Sequence, residues 1–414
     1  MKNTILILAM FAVVTGFYSC SKSKSIDSAK TAVPISLSQH QKDLVVANNA
    51  FGFNIFKTIM LAEGNDKNVF ISPLSISLAL AMTYNGANGD TKTEMQNTLQ
   101  FPNLSSDEIN GYFQKLSTSL IQVDPKVNLG IANSIWYRNT FSILPAFIQV
   151  NQDYYNAHIE ALDFNNPNSV NTINNWVSDK TNKRIPKVID QISNDLVMFL
   201  INAIYFKGSW MYEFDKNGTH DLSFTLADAS VISTPLMHQK GSFNSFSNEQ
   251  FSAVEMPYGQ GNFTMVVLLP NDGYSANDIL TNLSSENWDS WTNSFSKQNV
   301  EITFPRFKFE YDRTLNNDLT NLGMGKAFSD TEADFTNINP NGGLYISYVK
   351  HDSYVEVNET GTEAAAVTVV AISATMAGPG NEYHTFLVNK PFVFAIRETT
   401  TNTILFMGKV SNPQ

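Results

Sequence analysis

Residues 359–386 read ETGTEAAAVTVVAISATMAGPGNEYHTF, and their composition suits two incompatible places in a fold. After Glu363 no charged side chain occurs until Glu382, and Ala, Val, Thr and Ile dominate positions 364–377 without a proline. β-Branched side chains fit a pleated surface, so the run is a strand former. Drawn out as one strand, residues 361–376 would span about 50 Å at roughly 3.3 Å per residue, well beyond the usual five or six residues. The Gly378-Pro379-Gly380 cluster that follows marks exposed loop. A segment built for a sheet but bounded like a loop is the feature that any fold of this chain must accommodate.

The surrounding chain supplies both helices and strands. Leu44, Phe51, Ile55 and Ile59 recur at helical spacing, which predicts an amphipathic helix over about 39–62. Ser72-Pro73 reads as an N-cap with proline at the first helical position, and Leu74, Leu78 and Met82 continue that helix to Asn85-Gly86. Val170, Ile173, Trp176 and Val177 mark another helix before the Ile185-Pro186 break. Strands are expected at Val127–Ile131, Phe263–Leu269, Val300–Phe304, Phe307–Tyr311, Phe392–Ile396 and Ile404–Val410. Helices dominate the first third and strands the last, without regular alternation, so the class is α+β. No linker rich in Pro, Gly or Ser divides the 414 residues and no internal repeat is visible, so one large domain is expected.

Charged residues make up 16% of the chain and aromatic ones 12%, a balance that excludes extensive disorder. The formal charge of −11 and the lack of any dense Lys/Arg run argue against a nucleic-acid partner, since phosphate binding needs clustered cations. Residues 1–19 form a short basic n-region with Lys2 followed by an apolar run, and are expected to be a signal peptide. The only cysteine, Cys20, follows at once, in a pattern that resembles bacterial lipoproteins. Cys20 is therefore expected to be lipidated, and residues 20–38, small and polar, to act as a flexible tether. The expected location is outside the cytoplasm, extracellular or periplasmic, with the lipid at Cys20 in the bacterial outer membrane as the sole membrane contact. With no cysteine in the body, stability must come from the core rather than from disulfides.

No catalytic constellation emerges. The chain has no H-E-x-x-H, no G-x-S-x-G and no paired-cysteine site, and its six histidines are scattered. None of them stands four residues from another, as a helical metal site would require. Gly323-Met324-Gly325-Lys326 faintly echoes a phosphate loop, but Ala327 replaces the required hydroxyl residue and a turn is expected there. Neither an enzyme nor a metal or other cofactor is expected.

Against this background, GTEAAAV (361–367), VNKPFVFAIRE (388–398) and FMGKVSNP (406–413) resemble the hinge and C-terminal signature of the serpins. FISPLSISLALAMTYNGANGDTKTEM (70–95), NNWVSDKTNKRIPKVI (174–189), INAIYFKGSW (201–210) with Phe214 after it, and VEMPYG (254–259) agree in order. The resemblance covers about 40–412 and defines a serpin domain over 39–414. It implies about eight or nine helices around three β-sheets, with an exposed reactive-centre loop at about 359–385. It also implies an inhibitor that works by being cut, its loop inserting into the large sheet and dragging a covalently bound protease with it.

On that resemblance the hinge is Glu359, Thr360, Gly361, Thr362, Glu363, Ala364, Ala365, Ala366 and Val367. Gly361 supplies backbone freedom, and the small residues can enter a sheet without overpacking it. Alternation puts Thr362, Ala364, Ala366, Thr368, Val370, Ile372 and Ala374 on one face, with Glu363 the only charge on the other. Counting the family's usual seventeen residues from Glu359 places the scissile bond at Thr375-Met376, with cleavage after Met376 the near alternative. No Arg or Lys lies in the loop, so elastase-, subtilisin- or chymotrypsin-like serine proteases are the expected covalent partners, and papain-like cysteine proteases stay open. Ser72, Ser75, Asn202 and His351 match the family's polar cluster beneath the sheet opening, and Trp210 its tryptophan where the loop enters. Thr91–Lys126 holds only Lys92, Lys115 and Lys126 as cations, so no heparin-type site is expected, and the chain is expected to be a monomer. The rival function is a non-inhibitory carrier or chaperone-like protein on the same fold.

Overall fold

A computed structural model of the chain describes residues 32–194, 196–362 and 382–414. Of the expected site residues, Cys20, Glu363, Ala364, Ala365, Ala366, Val367, Thr375 and Met376 lie outside them.

Helix α1 (Gln39–Glu63) starts at a capping box in which Ser38 and Gln41 satisfy each other's backbone N–H. It buries Leu44, Phe51, Ile55 and Ile59. Strand β1 (Val69–Ile71) leads to α2 (Pro73–Tyr84), capped by Ser72 and buried on nearly every side. Then come α3 (Gly89–Thr98), α4 (Ser106–Gln122), β2 (Val127–Arg138), α5 (Pro145–Tyr155), β3 (His158–Leu162), α6 (Asn168–Lys180) and β4 (Met198–Ser209). The strand-rich part follows with β5 (His220–Thr225), β6 (Val231–Ser247), β7 (Phe251–Tyr258) and β8 (Phe263–Pro270). Helices α7 (Ala276–Thr281) and α8 (Ser285–Asn293), strands β9 (Ser296–Pro305) and β10 (Phe307–Thr314), and α9 (Asn316–Asn321) come next. The chain ends with β11 (Lys350–Asn358), β12 (Gly361–Thr362), β13 (His384–Leu387), β14 (Phe392–Glu398) and β15 (Ile404–Val410). The nine α-helices among the described residues agree with the expected eight or nine, and the α+β class holds.

The six-stranded sheet runs β10-β11-β12-β4-β2-β3. The nine-stranded sheet runs β1-β15-β14-β8-β7-β6-β9-β13, with β5 attached to β6. Three sheets were expected, whereas hydrogen bonding joins the described strands into two. The reason is β6, whose 17 residues pair in succession with β5, β9 and β7. Layers that would count separately therefore share one strand. Strands β8, β14 and β15 are buried along their whole length, and α2 packs between β15 and β4. A second small core of Trp136, Phe164, Ile173, Val177 and Phe199 lies under α6.

Two sequence features resolve differently from, or more fully than, their first reading. Of the tether expected over 20–38, residues 32–38 are described and lie against the body, with Ile35 and Leu37 packed on the core. Gly323-Met324-Gly325-Lys326 is a turn: Gly323 has φ +105°, Met324 is buried, and Lys326 pairs with Asp90 while its N–H donates to Glu94.

Candidate functional site

The expected hinge begins where β11 ends. Asn358 Oδ1 accepts the Thr360 N–H (3.0 Å) and hydroxyl (2.8 Å), turning the chain back on itself. Gly361 and Thr362 then enter the six-stranded sheet, paired with Asn358 and Val357 of β11 on one side and with Ser209 and Gly208 of β4 on the other. Gly361 has φ +151°, and a Cβ there would stand 2.1 Å from the Gly208 carbonyl oxygen. Only glycine fits.

Glu359 is clasped. Its carboxylate accepts from Arg306 Nε (2.6 Å) and from the Arg306 terminal nitrogen, and from Thr219 Oγ1 (2.6 Å). Burial pushes this carboxyl up, but the hydrogen bonds from Arg306 and Thr219 outweigh it and hold it below its ordinary value. Its side chain is 4% exposed, whereas that of Arg306 is 42% exposed. Arg306→Met leaves a buried carboxylate short of its cation, and is expected to cost about 2 kcal/mol, reduced from the fully buried case by solvent around the guanidinium. Glu359→Gln combined with Arg306→Met should recover part of that loss in urea unfolding of the intact chain.

Trp210 roofs the entry. Its ring stacks on Tyr258 at 4.3 Å, its Nε1 donates to the Asn358 carbonyl (2.9 Å), and its N–H donates to the Thr360 carbonyl (2.9 Å). The Tyr258 hydroxyl lies 2.6 Å from Thr362 Oγ1 in a buried contact. Thr362 therefore points into the body, which fixes the inward face of whatever continues β12.

Below Thr362 no ladder among the described residues joins β4 to β11. Both are antiparallel to β12, so they run parallel to each other with a strand's width between them. Met198–Ala203 and Leu344–Asp352 wall a cleft of about 120 Å³, floored by Ser75, Leu80 and Thr83 of α2.

The expected polar cluster spans this cleft, with His351 on one wall and Asn202 on the other. His351 Nε2 accepts the Ser72 N–H (3.1 Å), and Ser72 Oγ donates to the Leu405 carbonyl (2.7 Å) while accepting from the Ser75 N–H (3.2 Å). Ser75 Oγ reaches the Asn202 carbonyl at 3.4 Å. The Asn202 amide nitrogen turns to Asn133 (2.6 Å), and Asn202 Oδ1 is buried without a hydrogen-bond partner. The four residues thus form one chain of hydrogen bonds from His351 through Ser72 and Ser75 to Asn202, with the Asn202 Oδ1 acceptor left unpartnered.

Burial pushes His351 from 6.5 down to about 4. The unfolded chain takes up this proton more readily, so stability is full above about pH 6.5 and falls as pH drops toward 4. The neighbouring Asp352 has the opposite sign: burial, opposed by Lys350, pushes it from 3.8 up to about 6, so its penalty is relieved over the same descent. His351→Gln keeps an acceptor for Ser72 and removes the first effect alone. Between pH 7 and pH 4 the parent should lose up to about 3 kcal/mol more than this variant in denaturant unfolding.

Arg306, Thr219, Tyr258 and Asn358 escaped sequence reasoning. A buried Glu359 needing a cation was a signal, but nothing in sequence says which of 27 basic residues supplies it. No group of His, Cys, Asp and Glu among the described residues is placed to hold a metal ion.

The chain as a whole resembles known proteins in both sequence and fold. The family model described as Serpin (serine protease inhibitor) matches residues 46–413. Human leukocyte elastase inhibitor is 33% identical, over 90% of this chain and all of its own length. An uncharacterized serpin-like protein of Thermococcus kodakarensis is 33% identical, over 90% of this chain and 87% of its own. Among solved structures, the thermophilic serpin tengpin in its native state superposes with a TM-score of 0.83 at 33% identity, covering 92% of this chain and 97% of tengpin. Human thyroxine-binding globulin superposes with a TM-score of 0.82 at 29% identity, covering 91% of this chain and all of that one. Matched almost end to end in sequence and in fold, this chain belongs to the serpin family, whose members are in general protease inhibitors.

Proposed function

We propose that this chain is a suicide-substrate inhibitor of endopeptidases, whose loop is cut and then continues β12 down the cleft between β4 and β11. One coincidence of register carries the proposal. Extending the β12–β4 pairing places Thr368 opposite Asn202, and extending the β12–β11 pairing independently places Thr368 opposite His351. An inserted Thr368 would thus bring a hydroxyl to the orphaned Asn202 Oδ1, in a position flanked by Asn202 on one strand and His351 on the other. The same register sets residues 363–372 against Lys207–Met198, the full remaining length of β4.

The reading assigns Thr375-Met376 as the scissile bond, Glu359–Val367 as the hinge, and elastase-, subtilisin- or chymotrypsin-like enzymes as targets, with cysteine proteases a further class. Displacing catalytic groups by even about 1 Å costs on the order of 100-fold in rate, so a protease dragged along with the loop stalls as its acyl-enzyme. Lipid attachment at Cys20 and residence outside the cytoplasm belong to the same reading, on the strength of the N-terminal sequence. Similarity to thyroxine-binding globulin supports a second reading, a carrier without inhibition. Incubation with subtilisin or pancreatic elastase separates them. An inhibitor gives a covalent band that survives boiling in detergent, whereas a carrier gives only the cut chain.

A further inference from the structure

The segment just ahead of α1 makes contacts that protease trapping does not use. Val33 is held through both backbone groups by one side chain: its N–H donates to Asn262 Oδ1 (2.9 Å) and its carbonyl accepts from Asn262 Nδ2 (2.7 Å). Two residues on, the Ile35 N–H donates to Thr400 Oγ1 (3.0 Å), and that hydroxyl donates to the Glu398 carboxylate (2.9 Å). Glu398 is fully buried and also accepts from Asn262, from the Thr400 N–H, and from the N–H and hydroxyl of Thr401. A side-chain amide that satisfies both donor and acceptor of one residue imitates a neighbouring strand. Contacts at every second residue match an extended chain. With so many donors fixed on one buried carboxylate, the receiving residues are held in place before the segment arrives.

The position of this socket matters. Asn262 closes the turn between β7 and β8, where the Gly259 N–H donates to the Ser209 carbonyl (2.9 Å). Ser209 is the residue paired with Gly361. Socket and hinge therefore share one end of the body, while Met198, at the other end of β4, lies eleven residues away, about 36 Å at the rise of a strand.

We propose that Asn262, Thr400 and Glu398 fix the point at which the N-terminal segment leaves the body, so that an anchor at Cys20 holds the hinge end toward the membrane and turns the far end of the cleft outward. Eleven residues separate Cys20 from Ala32, and a chain of that length reaches at most about 40 Å however it is arranged. A protease carried down the cleft would then be carried away from the membrane surface. The socket stands independently of the lipidation reading, and the orientation rests on it only for what lies beyond Thr31.

The test uses the chain from Cys20 onward, which contains the compact unit starting at Thr31, coupled through its single thiol to phosphatidylcholine vesicles carrying maleimide lipid and an energy-transfer acceptor. A donor dye is placed through a non-canonical residue at exposed Asn217, beside the hinge, or at exposed Asn194, beyond the Met198 end. Transfer from Asn217 should exceed that from Asn194, and the difference should be lost in Asn262→Ala. Val33→Pro, which removes the donated N–H without touching the socket, should lose it too. In the parent the Val33 and Ile35 amides should exchange on the order of 100-fold slower than in Asn262→Ala. Equal transfer from the two sites in the parent, greater transfer from Asn194, or unprotected amides would overturn the proposal. Because the coupling is chemical, absence of lipid on Cys20 in a bacterial envelope would sink the anchoring reading separately.

Discussion

Nicked by subtilisin between residues 372 and 378, the chain is expected to melt on the order of 20 °C or more above the intact protein. Among the described residues, Gly361 and Thr362 alone stand between β4 and β11. Once cut, the next ten residues are free to complete ladders on both neighbours. Each ladder hydrogen bond returns about 1 kcal/mol net, while ordering each residue costs about 1 to 2 kcal/mol. The surplus must come from burial, at roughly 1.5 to 3 kcal/mol for each Val or Ile, and in an inserted strand Val370 and Ile372 would take the inward face. Partnering of the orphaned Asn202 oxygen adds to it. Circular dichroism melts of intact and nicked chain decide the matter. An unchanged midpoint, with residues 363–372 still open to a second protease, would remove the basis for trapping.

Ala366→Glu should convert the inhibitor into a substrate, whereas Val367→Glu should leave inhibition within about twofold. Thr362 faces inward because its hydroxyl meets buried Tyr258, and in an inserted strand alternation would carry that direction to Ala364, Ala366, Thr368, Val370 and Ile372. In the extended register Ala366 comes opposite Ser353, which is itself buried and donates to the Phe70 carbonyl beneath the sheet (2.6 Å). A carboxylate there would be buried without a cation, at about 3 kcal/mol or more. Slowing insertion by that amount is on the order of 100-fold, enough for hydrolysis to win. Val367 would face solvent, where a charge is tolerated. Titration of inhibitor against active protease gives the stoichiometry directly, and indistinguishable behaviour of the two variants would refute the assignment of faces.

Periodicity alone located the main elements wherever one face of a helix or strand is buried. The helix over 39–63, the capped helix after Ser72, and the strands at 263–270, 392–398 and 404–410 all follow from patterns within a few residues of each other. The two-sheet connectivity did not, because β6 gives no local sign that three partners share it. The docked stretch 32–38 was also hidden, since small and polar residues read as tether unless Asn262 and Thr400 are known to be waiting 229 and 365 positions away.

By itself the sequence determined the chemistry of the segment after Glu363: an uncharged, β-branched run with small residues at its base and Gly361 ahead of it. Those are properties of side chains and need no partner to be legible. Only the tertiary structure decided that Gly361 stands between β4 and β11, that Thr362 points into the body, and that Arg306 rather than another cation holds Glu359. Each of these depends on pairs far apart in the chain, such as Gly361 with Ser209 and Arg306 with Glu359. Register and salt-bridge choice are set by which strands lie side by side, and local composition carries no record of that.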